Sequence, residues 1–315
     1  MCRNQKIIKW NKNVKFRCPL FTAIRVMAML AVSASVSSAI TVVDDSGESL
    51  SFSQPVKRII SLAPHITELL YAAGAEKQIL GTVSYSDYPP AAKQLPVIGS
   101  YVKADYERVL AAQPEVVMYW KSGNPENMVN GIRKLNLKLF NSEPDNFEDV
   151  AASLIELGKL LGTEKIANLR AQQYLQRLSA LRKKYSNKNN KKVRVFYQVW
   201  NQPLMTINQQ HLINDVIDFC GGVNVFAALD NIAPTVDIES VMQKNPDVIV
   251  AGMAKGREQW LHEWQKWQTI DAVKNKALYS IDASLIVRQT PRILDGTEKM
   301  CELLQQYRDE IVKVQ

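Results

Sequence analysis

Most of the chain alternates short apolar runs with segments whose apolar residues recur at helical spacing. The apolar run at 58–62 is followed by a helical pattern at 67–73, and a helical pattern at 106–112 precedes the apolar run at 116–120. Short apolar runs bounded by helices are typical of buried parallel strands. The pattern therefore predicts an α/β fold with mostly parallel sheets covered on both faces. The same reasoning predicts an edge hairpin at 40–54, strands at 79–83, 138–140, 193–199, 248–250 and 278–281, and helices at 125–135, 211–220, 238–243, 257–267 and 291–311.

A different pattern occupies the middle of the chain. From Phe147 to about Tyr185 the apolar residues keep helical spacing throughout, with an interruption at Gly162-Thr163, and a polar stretch follows at 186–192. This predicts a long helix, kinked or in two parts, that joins two Rossmann-like lobes. The predicted organisation is an N-terminal lobe at 40–146, a rigid linker helix at 147–190 and a C-terminal lobe at 191–315.

The two halves contain a similar segment, 132 residues apart. In each, a glutamate (Glu107 or Glu239) opens a short helix, a proline lies seven residues further on, and an acidic residue then precedes an apolar strand. A helix–proline–strand joint is common enough to arise by chance, but the matching glutamates favour an internal duplication. Two related α/β lobes would enclose a ligand cleft between them.

The first 39 residues are predicted to be a secretory signal peptide. They contain seven basic residues and no acidic residue. The basic residues precede the apolar run 26–32, and small residues follow this run up to Ala39. This order is that of a cleavable signal, which places the mature start near Ile40 and predicts that the protein is exported. An uncleaved membrane anchor is the alternative. Beyond residue 39 the charge is nearly balanced, so the net charge of +8 gives no support for nucleic-acid binding.

Two cysteines, Cys220 and Cys301, remain after the predicted cleavage. In an oxidising compartment such a pair is expected to form a disulfide, and two buried free thiols are the alternative. A disulfide between Cys220 and Cys301 would restrict the unfolded chain and thereby stabilise the fold by about 4 kcal/mol.

No motif of a hydrolase, a phosphate-binding loop or a zinc protease occurs in the chain, so we do not expect an enzyme. The three histidines are too scattered to predict a metal site. His65 follows a predicted strand and opens a helix, so it should lie at the carboxyl edge of a parallel sheet, where ligands bind. We expect it to face the cleft as a polar residue, and iron ligation is the alternative.

Aromatic residues follow several predicted strands at the same edge. Two tyrosines, Tyr85 and Tyr88, occupy a proline-stiffened loop, and Tyr101, Trp120 and Trp200 lie at or near other strand ends. Such side chains suit a large, flat and partly polar ligand, although strand-end aromatics often serve packing alone.

The spacing of two other sets of residues indicates their roles. The tryptophans at 260, 264 and 267 recur at helical spacing and are predicted to be mostly core. Glu107 and Glu239 would lie at equivalent places on one surface, where paired carboxylates could bind arginines of a two-fold permease. The alternative for these glutamates is a favourable interaction with the helix dipole.

Specific strings in the sequence resemble those of periplasmic cobalamin-binding proteins of ABC importers, a class of solute-binding proteins with a rigid helical linker. The resemblance covers nearly all of the mature region. It is carried by Arg58-Ile-Ile-Ser-Leu-Ala-Pro64 with Thr67-Glu68-Leu69, Ser84-Tyr-Ser-Asp-Tyr-Pro-Pro90, Glu107-Arg108-Val109 with Pro114, Trp120-Lys-Ser-Gly-Asn124, Cys220-Gly-Gly-Val-Asn224 with Phe226, and Arg288 with Pro291-Arg292.

The resemblance implies a corrinoid ligand that is transported, with no cofactor and no bound metal of the protein's own. It implies that Tyr85 and Trp120 contact the corrinoid and that Glu107 and Glu239 dock on the permease. It also implies that Cys220 pairs with Cys301 and that the lobes close only modestly. The expected partners are the permease and its ATPase at the inner membrane, and the protein is expected to be a monomer.

Three positions depart from the family pattern. Tyr101 and Ala233 stand where tryptophans are expected, and Ser284 stands near the ligand where an acid is expected. Tyr101 keeps an aromatic surface, and Trp200 could compensate for Ala233. The departures leave another corrinoid, haem or a ferric siderophore as alternative ligands, and an α/β enzyme is a more distant alternative.

Overall fold

A computed structural model of the protein describes residues 39–185, 191–254 and 256–314. These residues belong to one compact unit, Ser37–Gln315. The predicted signal peptide, apart from its last residue, lies outside the described ranges. Within those ranges no helix is long and apolar enough to cross a membrane.

The N-terminal lobe is an α/β layer structure with two added hairpins. Its central sheet has the order β4-β3-β7-β8 with all neighbours parallel, while β1–β2 and β5–β6 form separate antiparallel pairs. In chain order the elements are β1 (Ile40–Val43), β2 (Ser49–Phe52), β3 (Ile59–Ser61), α1 (Pro64–Ala72), β4 (Ile79–Gly81), β5 (Gly99–Ser100), β6 (Lys103–Ala104), α2 (Tyr106–Ala111), β7 (Val116–Tyr119), α3 (Glu126–Arg133) and β8 (Leu139–Asn141).

Two helices follow, and then a second lobe with the same plan. The second sheet has the order β10-β9-β11-β12, again parallel throughout. The elements are α4 (Phe147–Leu161), α5 (Glu164–Tyr185), β9 (Val193–Gln198), α6 (Leu212–Phe219), β10 (Gly222–Asn224), α7 (Ile238–Lys244), β11 (Val248–Met253), α8 (Gln259–His262), α9 (Asp271–Lys274), β12 (Leu278–Asp282), α10 (Ala283–Ile286) and α11 (Ile293–Val314). The mixed α/β architecture with parallel sheets in two lobes confirms the predicted fold class.

The joint between helix and strand is repeated in detail in the two lobes. After α2 and after α7 the chain passes through a left-handed residue, Gln113 (φ 46°) or Asn245 (φ 42°). An arginine at the start of the neighbouring strand then binds the end of each helix. Arg58, which directly precedes β3, donates to the Gln113 carbonyl (2.8 Å), and Arg194, on β9, donates to the Lys244 carbonyl. Helix ends leave carbonyls unpaired, which these guanidinium groups satisfy. The shared detail supports the duplication inferred from the sequence.

The linker consists of two helices, which is the two-part form among the alternatives that the sequence left open. Gly162 ends α4 in the left-handed conformation (φ 65°), and the chain reverses so that Arg182 on α5 pairs with Glu148 at the start of α4 (2.7 Å). At Gly158 the helices approach so closely that a β-carbon would lie 2.6 Å from the Ala167 methyl. Glycine therefore permits the tight packing of this helix pair.

A continuous buried cluster joins the two lobes. It runs from α1 through α4 and α5 into α6 and α11, with Leu70, Leu154, Leu178, Ile217 and Leu304 among its members. On the surface of this junction, α5 is also tied to α11 by ion pairs. Because well-packed cores resist deformation, this connection should restrict relative motion of the lobes.

The predicted disulfide is confirmed in the C-terminal lobe. Cys220, which ends α6, is bonded to Cys301 on α11 with an S–S distance of 1.99 Å. Both residues are buried, so the cross-link fastens the terminal helix to the lobe from within.

Some local predictions were wrong in their bounds or number. Helix α1 begins at Pro64, three residues before the predicted start at 67, because proline suits the first helical position. The helix predicted at 257–267 is divided into α8 and a 3₁₀ turn at Glu263–Lys266. Trp260 and Trp264 are buried there, as predicted from their spacing. The short elements β5, β6, β10, α9 and α10 were not predicted at all.

Candidate functional site

Segments that follow the carboxyl ends of strands in the two sheets come together at a contact between the lobes. Arg288, which follows α10 in the C-terminal lobe, donates to the Tyr85 carbonyl (2.9 Å) and to the Asp87 carboxylate (2.8 Å). Tyr85 and Asp87 lie on the loop that leaves β4 in the N-terminal lobe. Ligands of parallel α/β sheets bind outside the carboxyl ends of the strands, so this junction marks the candidate site.

A buried charge cluster forms the floor of this junction. The carboxylate of Glu68, on α1, is 2% exposed and accepts hydrogen bonds from Arg288 (2.6 Å), Arg292 (2.7 and 3.0 Å) and Thr290 (3.1 Å). We call these four residues the Glu68 clamp. A carboxylate with two guanidinium partners and a hydroxyl has its charge and its lone pairs satisfied. The clamp therefore holds one lobe against the other at a fixed point.

The clamp also positions aromatic residues of the cleft. Tyr85 has a left-handed backbone (φ 68°), and its side chain is 75% exposed. The bond from Arg288 to its carbonyl holds that conformation, which is otherwise unfavourable for a residue with a β-carbon. Arg292 stacks on the Tyr88 ring, 3.8 Å from its centroid. Tyr85 is thus presented to solvent on an anchored loop.

Glu68, Arg288 and Arg292 were not identified as functional from their own chemistry. The available signal was Glu68 itself, an acid on a helix where its neighbours Ile66 and Leu69 are fully buried. A buried carboxylate needs a cation, and Arg288 and Arg292 are spaced four residues apart before the last helix.

Trp120 and Tyr101 form the N-terminal wall of the site. Trp120 is half-buried, and its indole N–H donates to Glu143 (3.1 Å). Its ring lies so close to Gly123 that a β-carbon there would be 1.9 Å from the indole, which makes glycine necessary. Tyr101 is 40% exposed, and its carbonyl accepts a hydrogen bond from Asn124 (2.7 Å).

His65 does not face the cleft, which corrects the expectation drawn from the sequence. It is 3% exposed, its Nε2 lies 2.9 Å from the Ser142 carbonyl, and its ring packs edge-on against Trp120 at 5.3 Å. Burial lowers the pKa of His65 to about 4, so the imidazole is neutral at pH 7 and Nε2–H donates to the carbonyl. With Nε2 occupied, His65 supports Trp120 from behind and is not placed to bind iron.

Trp200 and Ser284 lie on the C-terminal wall. Trp200 follows β9, is 44% exposed, and donates its indole N–H to the Gln202 carbonyl (3.0 Å). Ser284 is half-buried at the start of α10, where its carbonyl accepts from Arg292 (3.2 Å). Tyr85, Trp120, Trp200 and Ser284 therefore each follow a strand of one of the two parallel sheets, and Tyr101 follows β5.

The two predicted docking glutamates lie on the surface. Glu107 and Glu239 are exposed at the second positions of α2 and α7. The helix starts are capped by other acids, because Asp105 accepts from the Arg108 amide (3.1 Å) and Asp237 from the Ser240 amide (2.7 Å). Neither glutamate forms an ion pair with any residue of the described ranges. Their carboxylates are therefore not engaged in the caps.

Comparison with known proteins identifies the family. Residues 59–285 match the family described as periplasmic binding protein. The chain belongs to this family. Its members are binding proteins, in keeping with a site made of aromatic and hydrogen-bonding groups.

Close relatives in the family share most of the chain. A vitamin B12-binding protein of Vibrio cholerae serotype O1 is 34% identical over 254 residues, which cover 79% of this chain and 90% of that protein. The vitamin B12-binding protein of Yersinia pestis is 31% identical over 249 residues, 79% of this chain and 86% of the relative.

Solved structures agree on the fold. The crystal structure of the periplasmic vitamin B12 binding protein BtuF of Vibrio cholerae has a TM-score of 0.75 and 33% identity, covering 80% of this chain and 98% of that chain. The periplasmic heme-binding protein RhuT from Roseiflexus sp. RS-1 has a TM-score of 0.69 at 22% identity, covering 81% and 99%. At that identity the second likeness concerns the fold alone.

The Glu68 clamp yields a test by substitution. Changing Glu68→Gln leaves the largely buried Arg292 without an anionic partner and Arg288 with Asp87 alone, so we expect the free energy of unfolding to fall by about 3–5 kcal/mol. The matched control is Asp87→Asn, which removes a half-exposed carboxylate from the same Arg288 and should cost less than about 1 kcal/mol. Equilibrium unfolding in urea measures both. Equal, small losses would contradict the role given to Glu68.

Proposed function

We propose that this protein captures cobalamin or a related corrinoid between its lobes and delivers it to an ABC transporter, without covalent chemistry. The observation that carries the proposal is the 34% identity, over most of both chains, to a protein named for binding vitamin B12. The proposal is supported by the exposed aromatic rings of Tyr85 and Tyr101 in the N-terminal lobe and of Trp200 in the C-terminal lobe. Ligand sites of this kind are largely preformed and lined by aromatic groups.

The ligand would bind between exposed aromatic faces. Tyr85 and Tyr101 from the N-terminal lobe and Trp200 from the C-terminal lobe present rings to solvent, and Trp120 supports the same wall. A corrin is a broad, slightly curved ring with amides at its rim, so its faces suit aromatic contact and its rim suits hydroxyl and backbone groups. Because the Glu68 clamp already fixes the Tyr85 loop and Ser284, little ordering remains to be done on binding.

The remaining assignments follow from this function. Residues 1–39 would act as the export signal, and the mature chain would work in the periplasm as a monomer. The lobes at 40–146 and 191–315 would stay in one arrangement around the helical linker, so closure on the ligand would be modest. Docking on the permease and its ATPase complex would use Glu107 and Glu239, which stand at equivalent places on the two lobes.

The alternative ligand is haem. Its support is the fold shared with haem-binding proteins and the exposed phenol of Tyr85, an oxygen that could bind iron. Against it, His65 is buried and its Nε2 is occupied. A corrinoid is therefore the favoured ligand, and haem is tested in parallel with it.

The function is tested by isothermal titration of purified residues 40–315 with cyanocobalamin and, in parallel, with haemin. We expect one-to-one binding of cyanocobalamin and none of haemin. Tyr85→Ala should weaken binding by about 1–3 kcal/mol through loss of an aromatic contact, whereas Tyr85→Phe, which keeps the ring, should bind nearly as the wild type does. Binding of haemin alone, with a Soret shift that needs Tyr85, would replace cobalamin by haem as the ligand.

Docking is tested separately from capture. Replacing Glu107 and Glu239 together by alanine should abolish uptake into proteoliposomes that contain the permease and ATPase, because the charge-assisted contacts are lost. Binding of free cyanocobalamin should be unchanged. Glu164→Ala, an exposed first-turn acid of α5, serves as the matched control and should leave uptake intact. A parallel loss of soluble binding in the double variant would remove these glutamates from the docking surface.

A further inference from the structure

A cationic aromatic patch lies at the carboxyl edge of the C-terminal sheet. It consists of Trp200, which follows β9, Arg257, which follows β11, and Trp260 on α8. Since β9 and β11 are neighbours in the parallel sheet, the segments after them emerge side by side at the cleft. Neither the sequence motifs nor the resemblance assigned a role to Arg257.

The patch is held in shape by its own contacts. The rings of Trp200 and Trp260 pack edge to face at 5.6 Å, and Trp260 is buried. The guanidinium carbon of Arg257 lies 5.1 Å from the Trp200 ring centroid and 5.5 Å from that of Trp260. These distances fall within the range of cation–π attraction, so the exposed guanidinium is kept beside the exposed face of Trp200.

Arg257 carries a positive charge that no acid of the described ranges pairs with. The two acids nearest to it in sequence are occupied elsewhere, because Glu258 accepts from the Gly256 amide (3.1 Å) and Glu263 accepts from the Asn201 side chain (3.3 Å). A guanidinium offers a planar fork of N–H donors that matches the oxygens of a phosphate. The patch is thus suited to an anionic oxygen attached to a flat ligand.

The arginines of the Glu68 clamp are not free for this task. Arg288 and Arg292 already share the Glu68 carboxylate, and Arg288 also binds Asp87. An anion in the cleft would have to displace those buried contacts to reach them. Arg257 could accept an anion without the loss of an ion pair within the described ranges.

We propose that Arg257, seated on Trp200 and Trp260, recognises the phosphodiester of the nucleotide loop of a complete corrinoid. This proposal rests on the proposed corrinoid function. The amides at the rim of the corrin are neutral, so the phosphodiester is the anionic group of cobalamin that a guanidinium can select. The patch makes the protein discriminate between cobalamin and cobinamide, which has the corrin but lacks the phosphodiester and the base.

The test is the ratio of two affinities, measured by titration of residues 40–315 with cyanocobalamin and with dicyanocobinamide. In the wild type we expect cyanocobalamin to bind more tightly. Arg257→Gln should weaken cyanocobalamin binding about tenfold, as expected for loss of a charge-assisted hydrogen bond at a partly exposed site, and leave dicyanocobinamide binding unchanged. Arg257→Lys, which keeps the charge, should retain most of the preference.

The matched control is Arg133→Gln. Arg133 is exposed at the end of α3 in the N-terminal lobe, on the side where the strands of that sheet begin, so its replacement should change neither affinity. Equal losses for the two corrinoids in Arg257→Gln, or no loss for either, would overturn the phosphodiester assignment while the corrinoid function stands. A wild type that binds neither corrinoid would overturn the proposed function itself, and the assignment with it.

Discussion

The buried carboxylate of Glu68 is the constraint on which the arrangement of the cleft depends. Removing this charge from water is energetically unfavourable. Its ion pairs with Arg288 and Arg292, which belong to the other lobe, offset the lost hydration. The lobes must therefore meet where these groups meet. A buried ion pair of this kind defines geometry more clearly than it adds stability, because well-packed apolar residues of similar volume are often as stable. Here the geometry is that of the ligand cleft.

Other parts of the molecule reinforce the same arrangement. The linker helices α4 and α5 share one buried cluster with both lobes, and α5 is paired by charge with α11. Within that frame, Arg288 anchors the Tyr85 loop and Arg292 reaches the Ser284 carbonyl. The aromatic walls are thus set before any ligand arrives. Such preorganisation lowers the conformational entropy that would otherwise be lost on binding.

Sequence patterns predicted the parts of this molecule that depend on local periodicity. Short apolar runs and helical spacing were sufficient for the two parallel sheets, and the matching segments at Glu107 and Glu239 pointed to the repeated lobes. They could not reveal the clamp, because Glu68 and Arg288 are 220 positions apart and only the tertiary fold brings them together. His65 was misjudged for the same reason, since its position at a sheet edge was predictable but its burial beneath Trp120 was not. The chain reverses its direction at Gly162. The sequence indicated an interruption of the helix at this position, but it did not indicate the direction of the second helix.

The most direct test of this account is a crystal structure of residues 40–315 grown with cyanocobalamin. The account predicts one corrinoid in the cleft, with the Tyr85 and Trp200 rings in contact with it, and with the bonds from Arg288 and Arg292 to Glu68 intact. A corrinoid bound away from the carboxyl edges of the two sheets would contradict it. So would a clamp that opens, with Glu68 released from both arginines, when the ligand is bound.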